Sequence, residues 1–190
     1  MAMTAILYDF EIVLSNSDTK VLEELSFKLA RHPSETMQRA WLRVLAYCWL
    51  WEKRLAFGSG GVSDGDTPDL ETRDLTNQLT RWVRVGKADP VKIQKVIDQN
   101  SNAKVHVLFE SPERQAAFLE EGASLPRLAK ADLAAIDVGL LKSLSALEER
   151  RHKLKVTVIE EHFYVDTGKQ TFDGPLLRLP LPATAGRGSG

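Results

Sequence analysis

Three short runs hold the side chains whose types and spacing suit phosphoryl chemistry: Leu29-Ala30-Arg31-His32-Pro33-Ser34-Glu35-Thr36, Pro68-Asp69-Leu70 and Trp82-Val83-Arg84-Val85-Gly86. They put one acid, Glu35, at a helix start and a second, Asp69, on a strand, with a third position on the next strand. Carboxylates brought from separate elements are how a divalent-metal phosphodiesterase site is assembled. They hold Mg²⁺, which polarises a phosphoryl oxygen and makes bound water a better nucleophile. The third position, where such a site wants another acid, is occupied by Arg84. A guanidinium cannot shed its proton to escape a metal. At about 4 Å and an effective dielectric near 20, a unit charge pair is worth roughly 4 kcal/mol. Arg84 pointing into such a site therefore works against metal catalysis.

Two arrangements answer that conflict. Glu71 lies two residues beyond Asp69, so on an extended strand both side chains share a face and Glu71 supplies the missing ligand. Alternatively, Arg84 pairs with Asp69 or Glu35 and turns the site into a structural knot or a phosphate-binding patch.

The elements that must position these groups follow from periodicity. Ala5 to Val13 starts apolar and then alternates, which predicts a strand, and Ser15 to Asp18 supplies a turn into a second strand over Thr19 to Leu29. Met37, Ala40, Trp41, Val44, Leu45, Cys48 and Trp51 recur at three and four residues and make one helical face. Pro33 or Ser34 suits the start of that helix, and the run Gly58-Ser59-Gly60-Gly61 its stop. A mobile loop is expected from Gly58 to Asp66, then strands over Pro68 to Leu75 and Leu79 to Val85. Pro90 opens a helix to about Gln99, Ala103 to Phe109 is a strand, and Pro112 opens a helix that Gly122 ends. Leu128 to Ile136 mixes strand and coil signals, and a helix is expected from Val138 to Arg151. Lys153 to Glu160, His162 to Asp166 and Gln170 to Phe172 predict an antiparallel meander. Residues 181–190 show no apolar period and read as a disordered tail. Strands interleaved with helices predict an α/β mixed sheet flanked by helices, one domain over 1–180.

Composition narrows the function classes. The chain has 190 residues, 43% hydrophobic, with a formal net charge of -1, so it lacks the overall basic excess of a dedicated nucleic-acid binder. A local excess survives in Arg73, Arg81, Arg84, Lys87, Lys92, Lys95 and Lys104, a patch that suits either phosphate contact or plain solvation. The single cysteine, Cys48, excludes an intramolecular disulfide. No signal-peptide pattern or bilayer-length apolar run occurs, so a cytoplasmic protein without membrane contact is expected. Neither a Gly-x-Ser-x-Gly nor a P-loop is present, which argues against serine hydrolase and nucleotide kinase chemistry.

Plainer roles compete for the same residues. A carboxylate in a helix's first turn is favoured by the dipole alone, and Glu35 is spaced for simple pairing with Arg39 and Arg43. His32 serves equally as a base or as a support for the helix start. The tryptophans at 41, 49, 51 and 82 sit on apolar faces that suit the core better than base stacking.

The run from Leu29 to Thr36, followed by Arg39, Arg43 and Leu45-Ala46, resembles the opening motif of the YaeQ family of bacterial proteins. Pro68-Asp69-Leu70, Asp74-Leu75-Thr76, Trp82, Val85-Gly86, Asp89, Lys92 and Lys95 resemble its second block. That family looks like a variant of the PD-(D/E)xK nuclease superfamily, so the resemblance implies a restriction-endonuclease-like core with added hairpins at both ends. It implies Glu35 as the helix acid and Asp69 as the Pro-Asp acid of a Mg²⁺ site. The strand acid of the family pattern falls on Arg84 and the usual motif lysine on Gly86, leaving Lys92 or Lys95 to supply the amine. The resulting expectation is a catalytically degenerate relative of a Mg²⁺-dependent nuclease, with metal binding weak or absent and a surface for nucleic acid or a protein partner. The alternatives are an active divergent phosphodiesterase using Glu35, Asp69 and Glu71, and an interaction module with no nucleic-acid role.

Overall fold

In the N-terminal run every second side chain goes inward. Tyr8, Phe10, Ile12 and Leu14 are buried along β1 (Ile6–Asn16), and Leu25 and Leu29 along β2 (Val21–Arg31), its antiparallel partner. The protein is seen here as a computed structural model describing residues 4–59 and 65–179. The expected tail at 181–190 and the centre of the expected loop at 58–66 lie outside the described residues.

After α1 (Met37–Trp49) come β3 (Ala56–Phe57), β4 (Leu70–Arg73), β5 (Leu79–Val85), α2 (Pro90–Gln99) and β6 (Lys104–Phe109). Then follow α3 (Pro112–Glu121), a 3₁₀ turn (Pro126–Lys130), β7 (Asp132–Ile136) and α4 (Val138–Ser145). The chain closes with β8 (Arg151–Ile159), β9 (His162–Asp166) and β10 (Thr171–Leu177). All ten strands join one sheet in the order β2-β1-β8-β9-β10-β7-β6-β5-β4-β3. The pairs β1–β8, β5–β6 and β6–β7 are parallel and the rest antiparallel, so this is an α/β fold with a mixed sheet flanked by helices.

The parallel strands β5, β6 and β7 are covered on both sides, which is why they read as near-continuous apolar runs. Val83, Val85, Leu108, Ala134 and Ile136 pack with α1 and α4 in one core. Trp82, Val105, Val107, Phe109, Leu133 and Ala135 pack in a second core with Ile93, Val96 and Ile97 of α2 and Phe118 and Leu119 of α3. The pleat thus divides each strand between two cores. Helix α1 has ten buried residues, Ala40 to Trp49, because the β1–β8 half of the sheet closes over it from the other side.

Several boundaries differ from the sequence expectation. Helix α1 begins at Met37, not Pro33 or Ser34, since Thr36 caps it by accepting from the Arg39 amide at 3.2 Å. It ends at Trp49 rather than near Gly58. There the carbonyls of Trp49 and Leu50 accept from Asn16 Nδ2 (3.3 Å) and Arg81 Nη1 (3.2 Å), which replace further helical bonds. Helix α4 stops at Ser145 instead of Arg151, because His152, Leu154, Val156 and Val158 alternate and are drawn into β8 beside β1. The short β3 was not expected, and β10 runs on to Leu177, beyond Phe172, to reach β7. Among the described residues no helix is long and apolar enough to cross a membrane.

Candidate phosphate-binding site

Glu35 does not sit in the first helical turn. It precedes the Thr36 cap, in a tight bend where its amide donates to the His32 carbonyl (2.8 Å) and its carbonyl accepts from Arg31 Nη1 (2.6 Å). His32 takes the supporting part: Nδ1 lies 2.6 Å from Ser34 Oγ and the ring is exposed. The bend drives the Glu35 side chain inward, to 3% exposure.

A buried carboxylate needs partners, and the first two turns of α1 provide them. Arg39 Nη1 donates to Glu35 Oε1 at 2.9 Å, and Arg43 Nη2 donates to Oε2 at 2.6 Å. Arg39 also donates through Nη2 to Asp69 Oδ1. Asp69 lies just before β4, 8% exposed, and its Oδ2 accepts from the Val85 amide at 2.8 Å. Arg84 Nε stands 3.8 Å from that same Oδ2 and 3.4 Å from the Lys87 carbonyl. Glu35 and Asp69 therefore meet, but across a guanidinium.

The other proposed ligand and the lysines fall unevenly. Glu71 is engaged by Arg73, with Nε on Oε1 at 3.0 Å, so its carboxylate is directed to its own strand neighbour. Among the described residues no three His, Cys, Asp or Glu side chains come together as metal ligands. All four oxygens of Glu35 and Asp69 already accept hydrogen bonds from Arg39, Arg43 or the Val85 amide. This donor set does not fit Mg²⁺. Lys92 lies at the site, 3.5 Å from Asp66 Oδ1, while Lys95 is exposed and does not line it. Gly86 has φ +73°, a left-handed conformation that glycine adopts without strain.

Beside the carboxylates opens a cleft of about 370 Å³ whose walls include Arg39, Arg84, Lys87 and Lys92. Asp89 is the acid among its lining residues, and its Oδ1 is occupied in capping α2 through the Val91 (2.9 Å) and Lys92 (3.2 Å) amides. Four cations converging on one hollow can hold a phosphate by charge-assisted bonds. Among the described residues the acids at this hollow are engaged, Asp89 in capping α2 and Asp66 with Lys92. Cys48 offers no nucleophile, since it is buried and burial pushes its thiol up to about 12.

Comparison with known proteins agrees with this architecture. The family model described as YaeQ protein matches residues 1–174. The chain belongs to the YaeQ family. It is similar to the proteins described as "Uncharacterized protein YaeQ" from Salmonella typhi and from Escherichia coli K12. Each is 25% identical over 183 residues, which cover 96% of this chain and 100% of the relative. The crystal structure of the YaeQ protein from Xanthomonas axonopodis pv. citri superposes with a TM-score of 0.82 at 24% identity, covering 93% of this chain and 100% of that one. The YaeQ protein of Pseudomonas syringae gives 0.77 at 28% identity, over 90% of this chain and 94% of that one.

The residue that sequence reasoning undervalued is Arg39. Its spacing to Glu35 predicts a local pair, and that pair forms. Its bond to Asp69, 30 positions away, has no local signal.

Proposed function

We propose that this YaeQ protein is a cytoplasmic, catalytically degenerate relative of a Mg²⁺-dependent PD-(D/E)xK nuclease, retaining a cleft that binds the phosphate backbone of nucleic acid. The bridge of Arg39 between Glu35 and Asp69 carries this reading. It occupies, with a positive charge, the point between two carboxylates where a metal would sit. Replacing a divalent cation by a guanidinium keeps the attraction for phosphate and removes the Lewis acid that activates water. Arg84, Lys87 and Lys92 extend the same positive field along the cleft. The near-zero net charge fits a local footprint better than a molecule-wide one.

Fluorescence anisotropy with labelled single- and double-stranded DNA and RNA, at low and raised salt, tests the binding half. Incubation of the same substrates with Mg²⁺ or Mn²⁺ tests the degenerate half. Salt-sensitive binding without cleavage is expected. Divalent-dependent cleavage that disappears in Asp69→Ala would establish an active nuclease instead. Absence of binding at low salt would leave an interaction module with no nucleic-acid role.

A further inference from the structure

A second hollow, of about 540 Å³, lies next to the basic cleft and shares Arg39 and Lys87 with it. It opens where the parallel strands β5 and β6 end, at Gly86 and at Glu110-Ser111, and where α4 begins at Val138. The outer ends of parallel strands are where α/β sheets characteristically receive ligands. Its size falls within the roughly 300–1,000 Å³ of small-molecule sites. Leu42 from α1 and Val138 and Leu141 from α4 line its walls, Val138 half exposed and the two leucines buried.

Glu110 adds a directional group to those walls. Its Oε1 lies 3.1 Å from Arg114 Nε, whereas its Oε2 is buried and has no hydrogen-bond partner among the described residues. That oxygen stands 3.6 Å from where a Cβ on Gly86 would be, an ordinary van der Waals distance, so the side-chain-free Gly86 lies directly beside it. A buried carboxylate oxygen without a donor is a costly arrangement that a ligand N–H would relieve.

Resting on the phosphate-binding reading above, we propose that the two hollows together bind one unpaired nucleotide. Its phosphate lies among Arg39, Arg84 and Lys87. Its base lies between Leu42, Val138 and Leu141, with an N–H of the base edge donated to Glu110. A nucleotide has the three required parts in order: an anion, flat apolar faces and a donor edge. A base in a duplex has its faces stacked and its edge paired, so the ligand is a free nucleotide or an unpaired residue of a single strand.

Calorimetric titration with inorganic phosphate, ribose 5-phosphate, guanosine 5′-monophosphate, a short single-stranded oligonucleotide and the matching duplex tests this. NMR of the Leu42 and Leu141 methyl groups is recorded alongside. Guanosine monophosphate should bind at least about tenfold more tightly than ribose 5-phosphate, and should move both methyl signals. Glu110→Ala, at a partly buried position, should erase that advantage while inorganic phosphate still binds. A single strand binding more tightly than the mononucleotide would identify a strand as the ligand; equal binding would identify the free nucleotide. Equal affinity for ribose 5-phosphate and the mononucleotide, with silent methyl groups, would overturn the base site and leave the phosphate cleft standing. A duplex bound as tightly as the single strand would overturn it too. Failure of every phosphate-bearing probe would overturn the phosphate cleft itself.

Discussion

Arg39 and Asp69 tie helix α1 to the start of β4 through a partly buried ion pair, Nη2 donating to Oδ1, and the same guanidinium holds Glu35. Neither carboxylate has water to fall back on, at 3% and 8% exposure. Glu35 keeps Arg43, and Asp69 keeps the Val85 amide and Arg84, so Arg39→Ala is expected to destabilise the protein by about 1.5–3 kcal/mol, the range for a hydrogen bond to a charged group. Urea unfolding of wild type and variant measures it. A loss below about 1 kcal/mol, the scale of exposed pairs, would mean that the bridge is superficial.

The same bridge sets the response to divalent ions. Mg²⁺ should leave the thermal midpoint of the wild type unchanged, since a ligand stabilises only a folded state that binds it. Removing the bridging charge and restoring the strand acid in Arg39→Ala/Arg84→Glu should produce a Mg²⁺-dependent rise in midpoint. Differential scanning fluorimetry with and without the ion compares the two. A rise in the wild type would contradict the donor-set argument.

If Lys87 and Lys92 contact phosphates in the cleft, each makes a separate contribution to the salt dependence of binding. Lys87→Ala and Lys92→Ala should each lower the slope of log K against log salt by about 0.7–0.9. Lys95→Ala should leave it unchanged, because Lys95 lies off the cleft. Equal effects from all three would point to a diffuse basic surface.

The elements that carried their own signals were legible. Pro90 and Pro112 open α2 and α3 as expected, with Asp89 and Ser111 capping them, and Gly122 closes α3. The ends of α1 and α4 were not, because distant partners set them: Asn16 and Arg81 at the end of α1, and the pairing of β8 with β1 beyond α4. At the site, the meeting of Glu35 with Asp69 was foreseeable only through the family resemblance. The residue types suggest a pairing of Arg84 with Asp69 or Glu35. In the fold Arg84 does pair with Asp69, at 3.8 Å, but it is Arg39, already paired locally to Glu35, that reaches across to Asp69 and bridges the two acids. A sequence shows neighbours along a helix; it does not show which of them faces another element.

His152 is buried against Phe10, stacked at 4.9 Å, and edge-on to Trp41 at 5.0 Å, and its Nε2 has no hydrogen-bond partner among the described residues. Burial holds its pKa below the usual histidine value, against the opposing pull of Glu149. The unfolded chain then takes up the proton more readily than the native state, so stability falls as pH drops below about 6.5. His152→Phe should flatten that part of the stability profile. Urea midpoints at pH values on either side of about 6.5 test it. Parallel profiles for the two proteins would show that another group carries the loss.

Asp132 gives a second, more acidic transition. Desolvation alone would raise its pKa, but hydrogen bonds from His106 Nδ1 (3.0 Å) and from Arg178 outweigh it and hold the carboxyl at about 2. A carboxylate depressed in the native state adds stability above its unfolded pKa near 3.9, and loses that contribution as pH falls toward about 2. Asp132→Asn keeps the side-chain shape and removes the titration. It should be less stable than wild type at neutral pH, and the gap should close between about pH 4 and pH 2. Denaturation midpoints measured across that interval decide it, and a gap that stayed constant would place the acid sensitivity elsewhere.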